Sequence, residues 1–307
     1  MTNRPPSEAP PWTILKLLRW TTSYFKSRHI ENPRASAEIL LSHMLGMERI
    51  DLYVRYDQPL MEHELADYKC MIQRRTRREP VAYIVGEKEF WSMALTVNAE
   101  VLIPRPETEC LVETALSLLP PASSKKPSRI LDAGTGSGAV ALALHRERPG
   151  SRIFASDKSR KALRVARENA IRQGAGEKIA FFCGDWFAAI RPAASHFDLI
   201  ISNPPYIRTE ALAGLAPEIR EYEPTGALDG GGDGLTAIRH LILRSPEYLA
   251  DEGLLLMEIG YDQRRDIDAI ARGCGDYSDI RFAQDYSGLD RVAVLQKKKN
   301  LVQTAFI

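Results

Sequence analysis

The sequence predicts an α/β protein: a seven-stranded, largely parallel sheet, with a small helical domain and a β-hairpin ahead of it. Three observations carry that expectation. From residue 129 onward short apolar runs alternate with helical patterns. The first ~80 residues show helical spacing without strand-like alternation. Between the two lies one stretch of two-residue alternation, the texture of a hairpin.

Taken in order, Ile14, Leu15, Leu18 and Phe25 place the first helix. Asn32-Pro33 opens the second, with Asn as N-cap and Pro in the first turn, where its missing N–H costs nothing. Ile39, Leu40, Leu41, Met44 and Leu45 form its apolar positions, and Gly46 is placed to end it. A third helix runs from about Glu62 through Leu65, Tyr68, Met71 and Ile72 into the basic run Arg74-Arg75-Thr76-Arg77-Arg78. That run reads as a solvated last turn favoured by the helix dipole, or as a contact for an acidic partner. EFWSMALTVNAEVLI (89–103) reads as the hairpin, its turn near Asn98-Ala99. A helix follows from about Glu107 to Leu119, and PPASSKKPS (120–128) is a loop by composition. The later runs are RILDAG, RIFASD, KIAFFCG, FDLIISN, GLLLMEIG, SDIRFAQ and DRVAVLQ, with helices expected between the first five. Such alternation means a sheet covered on both faces, with ligands beyond the carboxyl ends of its strands. The tail KKKNLVQTAFI is expected to be a loose end.

At 307 residues the chain exceeds the ~250–300 at which one hydrophobic core stops growing. The expected division is 1–85 helical, 86–103 hairpin linker and 104–307 α/β domain. No apolar run approaches the ~20 residues of a membrane helix, and MTNRPPSEAPPW lacks the apolar core of a signal peptide, so a cytoplasmic protein is expected. The 41 Lys+Arg against 40 Asp+Glu lack the basic surplus usual in proteins that grip phosphate backbones, which argues against stable nucleic acid binding. Cys70, Cys110, Cys183 and Cys274 lie far apart with no CxxC pair, and the six histidines form no cluster. Reduced thiols packed as small apolar groups and no metal are expected.

The first strand of the α/β region ends in Asp132-Ala133-Gly134-Thr135-Gly136-Ser137-Gly138 and leads into a helix. Glycines let the backbone turn sharply and let a cofactor approach closely. The second strand ends in Asp157, about 20 residues on, where an acid can take a pair of ribose hydroxyls. Gly134-x-Gly136-x-x-Ala139 also satisfies the dinucleotide pattern, so this loop alone leaves NAD and S-adenosylmethionine both open.

A second loop decides between them. The fourth strand ends in Ser202-Asn203-Pro204-Pro205-Tyr206. Two prolines stop a sheet ladder, but a stop requires neither the Asn before nor the Tyr after. The loop suits methylation of a planar nitrogen, whose lone pair is delocalised and must be held and aimed. Asn203 offers its side-chain oxygen and Pro204 its backbone carbonyl, while the prolines present no competing N–H. The tyrosine ring of Tyr206 is suited to lie against a flat substrate group. As positive charge moves onto the nitrogen its N–H bonds to these acceptors strengthen, which favours the transition state over the ground state. A dehydrogenase has no use for such a loop.

These motifs, with PVAYIVGEKEFW (80–91), LIPRPETE (102–109), LDAGTGSGAVALAL (131–144), GDWF (184–187) and SNPPYI (202–207), resemble the HemK/PrmC family over nearly the whole chain. These are protein-(glutamine-N5) methyltransferases acting on peptide-chain release factors. The resemblance implies a Rossmann-like class I methyltransferase domain, with Gly134, Thr135, Gly136, Ser137 and Gly138 around the methionine part of S-adenosylmethionine and Asp157 on its ribose. It puts Asp185 and Trp186 beside the adenine, and Asn203, Pro204, Pro205 and Tyr206 around the substrate glutamine, Asn203 also bordering the cofactor. It implies a monomer that methylates the glutamine of the Gly-Gly-Gln loop of bacterial class 1 release factors, recognised through the helical domain. EPTGALDGGGDG (223–234) is placed either to cover the site or to form a plain surface loop before a helix near Leu235. Because NPPY is shared with DNA adenine methyltransferases, that activity is the rival reading, and a catalytically silent cofactor-binding scaffold is a second.

Overall fold

The computed structural model describes residues 11–121, 124, 127–192 and 196–299. Of the tail expected to be loose (297–307), Lys297 closes the last strand and Lys298 N donates to Asp276 O at 2.8 Å, while residues beyond 299, the first ten residues and four positions of the 120–128 loop lie outside the described residues. The chain divides into two compact units: Met1–Gly86 with Pro217–Tyr222, and Glu87–Ala216 with Glu223–Ile307.

The first unit is helical. α1 (Ile14–Ser27) is capped by the Thr13 side chain, and α2 (Pro33–Leu45) begins at its proline and ends on Gly46 in the left-handed conformation. Asn32 occupies the N-cap position but its side chain makes no cap bond, and its φ is +47°. The residue before a proline is kept out of the right-handed helical region, and asparagine tolerates the left-handed one. Short helices α3 (Asp51–Val54) and α5 (Val81–Val85), which the sequence pattern does not reveal, flank α4 (Glu62–Thr76). Ile14, Leu18, Phe25, Leu40, Leu41, Leu52, Tyr68 and Ile72 make the shared core. The basic run closing α4 pairs within its own unit: Arg74 with Glu79, and Arg75 and Arg78 with Glu218 at 3.0 and 3.3 Å.

The second unit opens with the hairpin, but the turn is earlier than its alternation predicts. β1 (Glu87–Phe90) and β2 (Met93–Thr96) turn at Trp91-Ser92, whereas Asn98 forms a separate turn after the hairpin. Phe90, Met93 and Leu95 sink into the second unit's core, so the hairpin is anchored as well as connecting. After α6 (Thr108–Leu118) come β3 (Arg129–Ala133), α7 (Ala139–Glu147), β4 (Arg152–Asp157), α8 (Arg160–Arg172), β5 (Ile179–Cys183) and β6 (Phe197–Ser202). Then follow α9 (Pro217–Arg220) in the excursion to the first unit, α10 (Thr236–Arg244), β7 (Leu249–Glu258), α11 (Arg264–Cys274), β8 (Tyr277–Gln284) and β9 (Asp290–Lys297). Where a helix was expected between β5 and β6, the described residues form turns around Trp186.

The sheet order is β5-β4-β3-β6-β7-β9-β8, parallel through β7, with β9 antiparallel to both its neighbours. Strand order reverses between β3 and β6, and the carboxyl ends on either side of that switch are where a ligand sits. Apolar side chains from α6 and α7 cover one face; those from α10 and α11 cover the other. Burying a central residue such as Leu131 contributes about 2 kcal/mol, and strands buried on both faces read as continuous apolar runs for that reason. Of the four cysteines only Cys110 is buried; Cys70 and Cys183 are exposed, so packing does not explain those two.

Candidate functional site

At the carboxyl ends of β3, β4, β5 and β6 lies a cavity of about 230 Å³. Its floor is the loop after β3. Gly134, Gly136 and Gly138 have φ of +80°, +55° and +84°, and the Gly134 and Thr135 amides donate to the Ser156 carbonyl at 2.9 and 2.8 Å. A Cβ on Gly138 would lie 3.2 Å from that of Ala166 on α8, so glycine there serves helix packing as well as the turn. The Ser159 side chain caps α8, and its buried Asn169 ties the loop to the hairpin: Nδ2 donates to Ser137 O at 2.9 Å and Oδ1 accepts from Thr96 N at 2.6 Å.

Asp157, at the end of β4, accepts from Gly136 N at 2.9 Å and from Ser159 N at 2.8 Å. Asp132, 1% exposed, accepts from Thr135 Oγ1 at 2.6 Å. Burial pushes the Asp132 carboxyl up to about 7, against the hydrogen bonds from Thr135 and the Ala141 backbone that favour its charge; nearby Asp157 adds to the rise. Trp186 holds a φ of +49°, and its ring edge stands 3.4 Å from where a Gly134 Cβ would be. A Cβ there would make ordinary contact with the indole, so it is the φ of +80° that requires glycine at 134.

Across the switch point, Ser202 Oγ donates to Ala133 O at 2.6 Å and joins the second loop to the first. Asn203 Nδ2 donates to Thr108 Oγ1 at 3.1 Å, and Thr108 Oγ1 donates to Glu258 Oε2 at 2.7 Å. The Tyr206 hydroxyl donates to Glu258 Oε1 at 3.2 Å, and burial pushes that phenol up. Glu223 accepts from Ile103 N at 3.0 Å and from Arg105, holding the segment 101–105 at the rim.

The cavity thus gathers Gly134, Thr135, Gly136, Ser137, Asp157, Asp185, Trp186, Asn203 and Pro205 from separate loops. Gly138, Pro204 and Tyr206 are not among its lining residues. Gly138 starts α7, Pro204 is buried, and Tyr206 packs its ring against the core on the α10 side. The Tyr206 hydroxyl is tethered to Glu258. Pro224, Gly226 and Ala227 line the cavity, so the glycine-rich stretch does border it. Asp132, Thr108 and Glu223 stand in the sequence only as members of the glycine motif, of LIPRPETE and of the 223–234 stretch, with no role of their own, and neither Asn169 nor Glu258 is an expected site residue.

Glycine backbone, two acids and an indole form a cradle fitted to an adenosyl group bearing an amino-acid tail, and no redox partner is needed to explain the acceptors of the second loop. Comparisons with known proteins agree. A PrmC N-terminal domain family model matches residues 16–86, and a methyltransferase small domain model matches residues 111–219. The fold is similar to that of a methyltransferase from Pyrococcus furiosus, with a TM-score of 0.51 at 16% identity over 74% of this chain and 98% of that one. It is also similar to the hMettl16 catalytic domain, with a TM-score of 0.55 at 15% identity over 72% of this chain and 81% of that one. Release factor glutamine methyltransferase from Rhodopirellula baltica is 38% identical over 94% of this chain and 97% of its own length. The protein of the same name from Geobacter sulfurreducens is 42% identical over 92% of this chain and 95% of its own. With both units present and identity sustained along almost the full length, the chain belongs to the release factor glutamine methyltransferase family.

Proposed function

We propose that this chain transfers a methyl group from S-adenosylmethionine to the side-chain amide nitrogen of the glutamine in the Gly-Gly-Gln motif of bacterial class 1 release factors. The observation that carries this is Asn203 on the same cavity as the glycine loop and Asp157. When bound, S-adenosylmethionine supplies a methyl already activated on a sulfonium, so the protein's contribution is to bind, orient and keep water out. Gly134 to Gly138 cradle the amino-acid end, Asp157 takes the ribose, and Asp185 and Trp186 border the adenine. Asn203 Oδ1 and the Pro204 carbonyl accept the two N–H groups of the substrate amide, and Pro205 and Tyr206 complete the loop. Those hydrogen bonds turn the nitrogen lone pair toward the methyl and strengthen as charge develops.

The first unit, residues 1–85 in the expected division, is assigned to recognition of the folded release factor. The chain works as a cytoplasmic monomer on a protein and holds no stable nucleic acid, in keeping with its formal charge of +1. Among the described residues, no helix is long and apolar enough to cross a membrane.

The test is label transfer from S-adenosylmethionine to an unmethylated release factor in one tube and unmethylated DNA in another, the product mapped by mass. Label on the Gly-Gly-Gln glutamine is the expected outcome. Label on DNA alone overturns the substrate, and label on neither overturns the activity.

A further inference from the structure

Glu258 is 1% exposed at the carboxyl end of β7, and two hydroxyls point at it. One belongs to Thr108, the first residue of α6, itself 4% exposed. A threonine hydroxyl has a single hydrogen. Spent on the carboxylate, it leaves the Thr108 oxygen able only to accept, so what Asn203 must turn toward it is the amide nitrogen. The orientation of an amide is decided by its partners in this way. With Nδ2 committed to Thr108, Oδ1 is the atom that Asn203 has left to offer the cavity it lines.

We propose that Glu258 is a positioning residue for methyl transfer, which acts through Thr108 to keep the Oδ1 of Asn203, and not its Nδ2, presented to the substrate amide. The proposal rests on the reading of Asn203 as an acceptor for that amide. A proton on Glu258 reverses the chain of donors. The acid then donates to Thr108, Thr108 becomes free to donate to Oδ1, and the rotated amide meets the substrate NH₂ with its own. Two donors face each other and the lone pair is no longer aimed.

The groups around Glu258 come from several elements. Glu107, Thr108 and Cys110 lie at the start of α6, Tyr206 on the loop after β6, and Arg291 on β9, paired with Asp285 at 3.1 Å. Burial raises the affinity of Glu258 for a proton; Thr108, Tyr206 and Arg291 oppose this and Glu107 adds to it. The net direction is upward, so the ionised, productive form is lost on acidification above the ordinary carboxylate range.

The experiment measures kcat, KM and cofactor Kd for Thr108→Val, Thr108→Ser, Glu258→Gln and Asn203→Ala, with kcat followed against pH at saturating S-adenosylmethionine. Thr108→Val is expected to lower kcat by about 10–100-fold with cofactor Kd unchanged, and Thr108→Ser to restore most of it. The wild-type acid limb should disappear from the kcat profile of Glu258→Gln, because that side chain does not titrate. Wild-type kcat in Thr108→Val, no rescue by Thr108→Ser, or an unchanged acid limb in Glu258→Gln overturns the relay. Asn203→Ala separates the two layers. If it too keeps full turnover, the acceptor reading of Asn203 has failed; if it is inactive while Thr108→Val is not, only the relay has failed. Should Glu258→Gln not fold, the Thr108 pair decides, since valine and serine each preserve most of the side-chain shape.

Discussion

Asp132 shows how a single buried carboxylate links ligand binding to pH. Its folded value of about 7 lies far above the ordinary 3.8, with desolvation the principal cause. The folded state holds the proton more tightly than the unfolded one, so this residue subtracts stability as pH rises from the unfolded value through about 7. A cationic ligand in the cavity offsets that loss by favouring the carboxylate. Binding of S-adenosylmethionine should therefore release a fraction of a proton near neutral pH, and affinity should rise between about pH 6 and 8. Calorimetric titration in two buffers of different ionisation enthalpy measures this. The apparent binding enthalpy should depend on buffer in the wild type and not in Asp132→Asn. At this scale the sequence was legible where a residue's role follows from its own backbone, as with the glycines. It was not legible for Thr108 and Glu258, which are 150 residues apart and mean nothing until the fold brings their oxygens to 2.7 Å.

Among the elements, the hairpin departs most from its sequence pattern. Trp91 and Ser92 both sit at positive φ, +52° and +53°, in a turn geometry that usually selects Asn-Gly. Neighbours impose it. Arg146 Nη1 donates to both turn carbonyls at 3.2 Å, the Trp91 amide donates to Glu109 at 2.9 Å, and its indole N–H donates to Glu147 at 3.0 Å. A local reading places the turn at Asn98-Ala99 because it sees the turn-forming asparagine and not Arg146, Glu109 or Glu147. A non-glycine residue in the left-handed region costs about 1–2 kcal/mol, and the Ser92 side chain is exposed. Ser92→Gly should stabilise the protein by about 0.5–1 kcal/mol after glycine's greater unfolded-state entropy is counted. In urea the midpoint should rise with an unchanged slope; a lower midpoint would show that the serine itself is needed.

For the whole molecule the informative feature is the chain's excursion at Pro217–Tyr222, which groups with the helical unit although it lies between β6 and β7. Glu218 accepts from Arg75 and Arg78, and the Tyr222 hydroxyl donates to Arg77 O at 2.6 Å. Burial pushes the Glu218 carboxyl up, but its own backbone amide and Arg75 outweigh that and hold it below the usual range. The stabilisation it provides is thus present above the ordinary carboxylate pKa and lost as pH falls through the lowered value. Glu218 is half-buried and Arg75 keeps the Glu79 carbonyl as an acceptor, so losing the carboxylate costs less than the loss of a partner from a fully buried pair but leaves the buried Arg75 without its counter-charge. Glu218→Ala should therefore reduce hydrogen-exchange protection along α4 while leaving β3 to β7 unchanged; undiminished protection in α4 would show that the contact contributes no stability there. From the sequence alone came the alternating α/β pattern, the seven strands, the glycine loop, the Asn-Pro-Pro-Tyr loop and so the chemistry expected of them, because each is written in neighbouring residues. The tertiary structure decided the sheet order, the hairpin turn, the pairing of the basic run with Glu218 and the hydrogen bonds that join Asn203 to Thr108 and Thr108 to Glu258. Each of these joins residues distant in the chain, and the charges, hydrogens and lone pairs that must match across such gaps meet only once the sheet has formed.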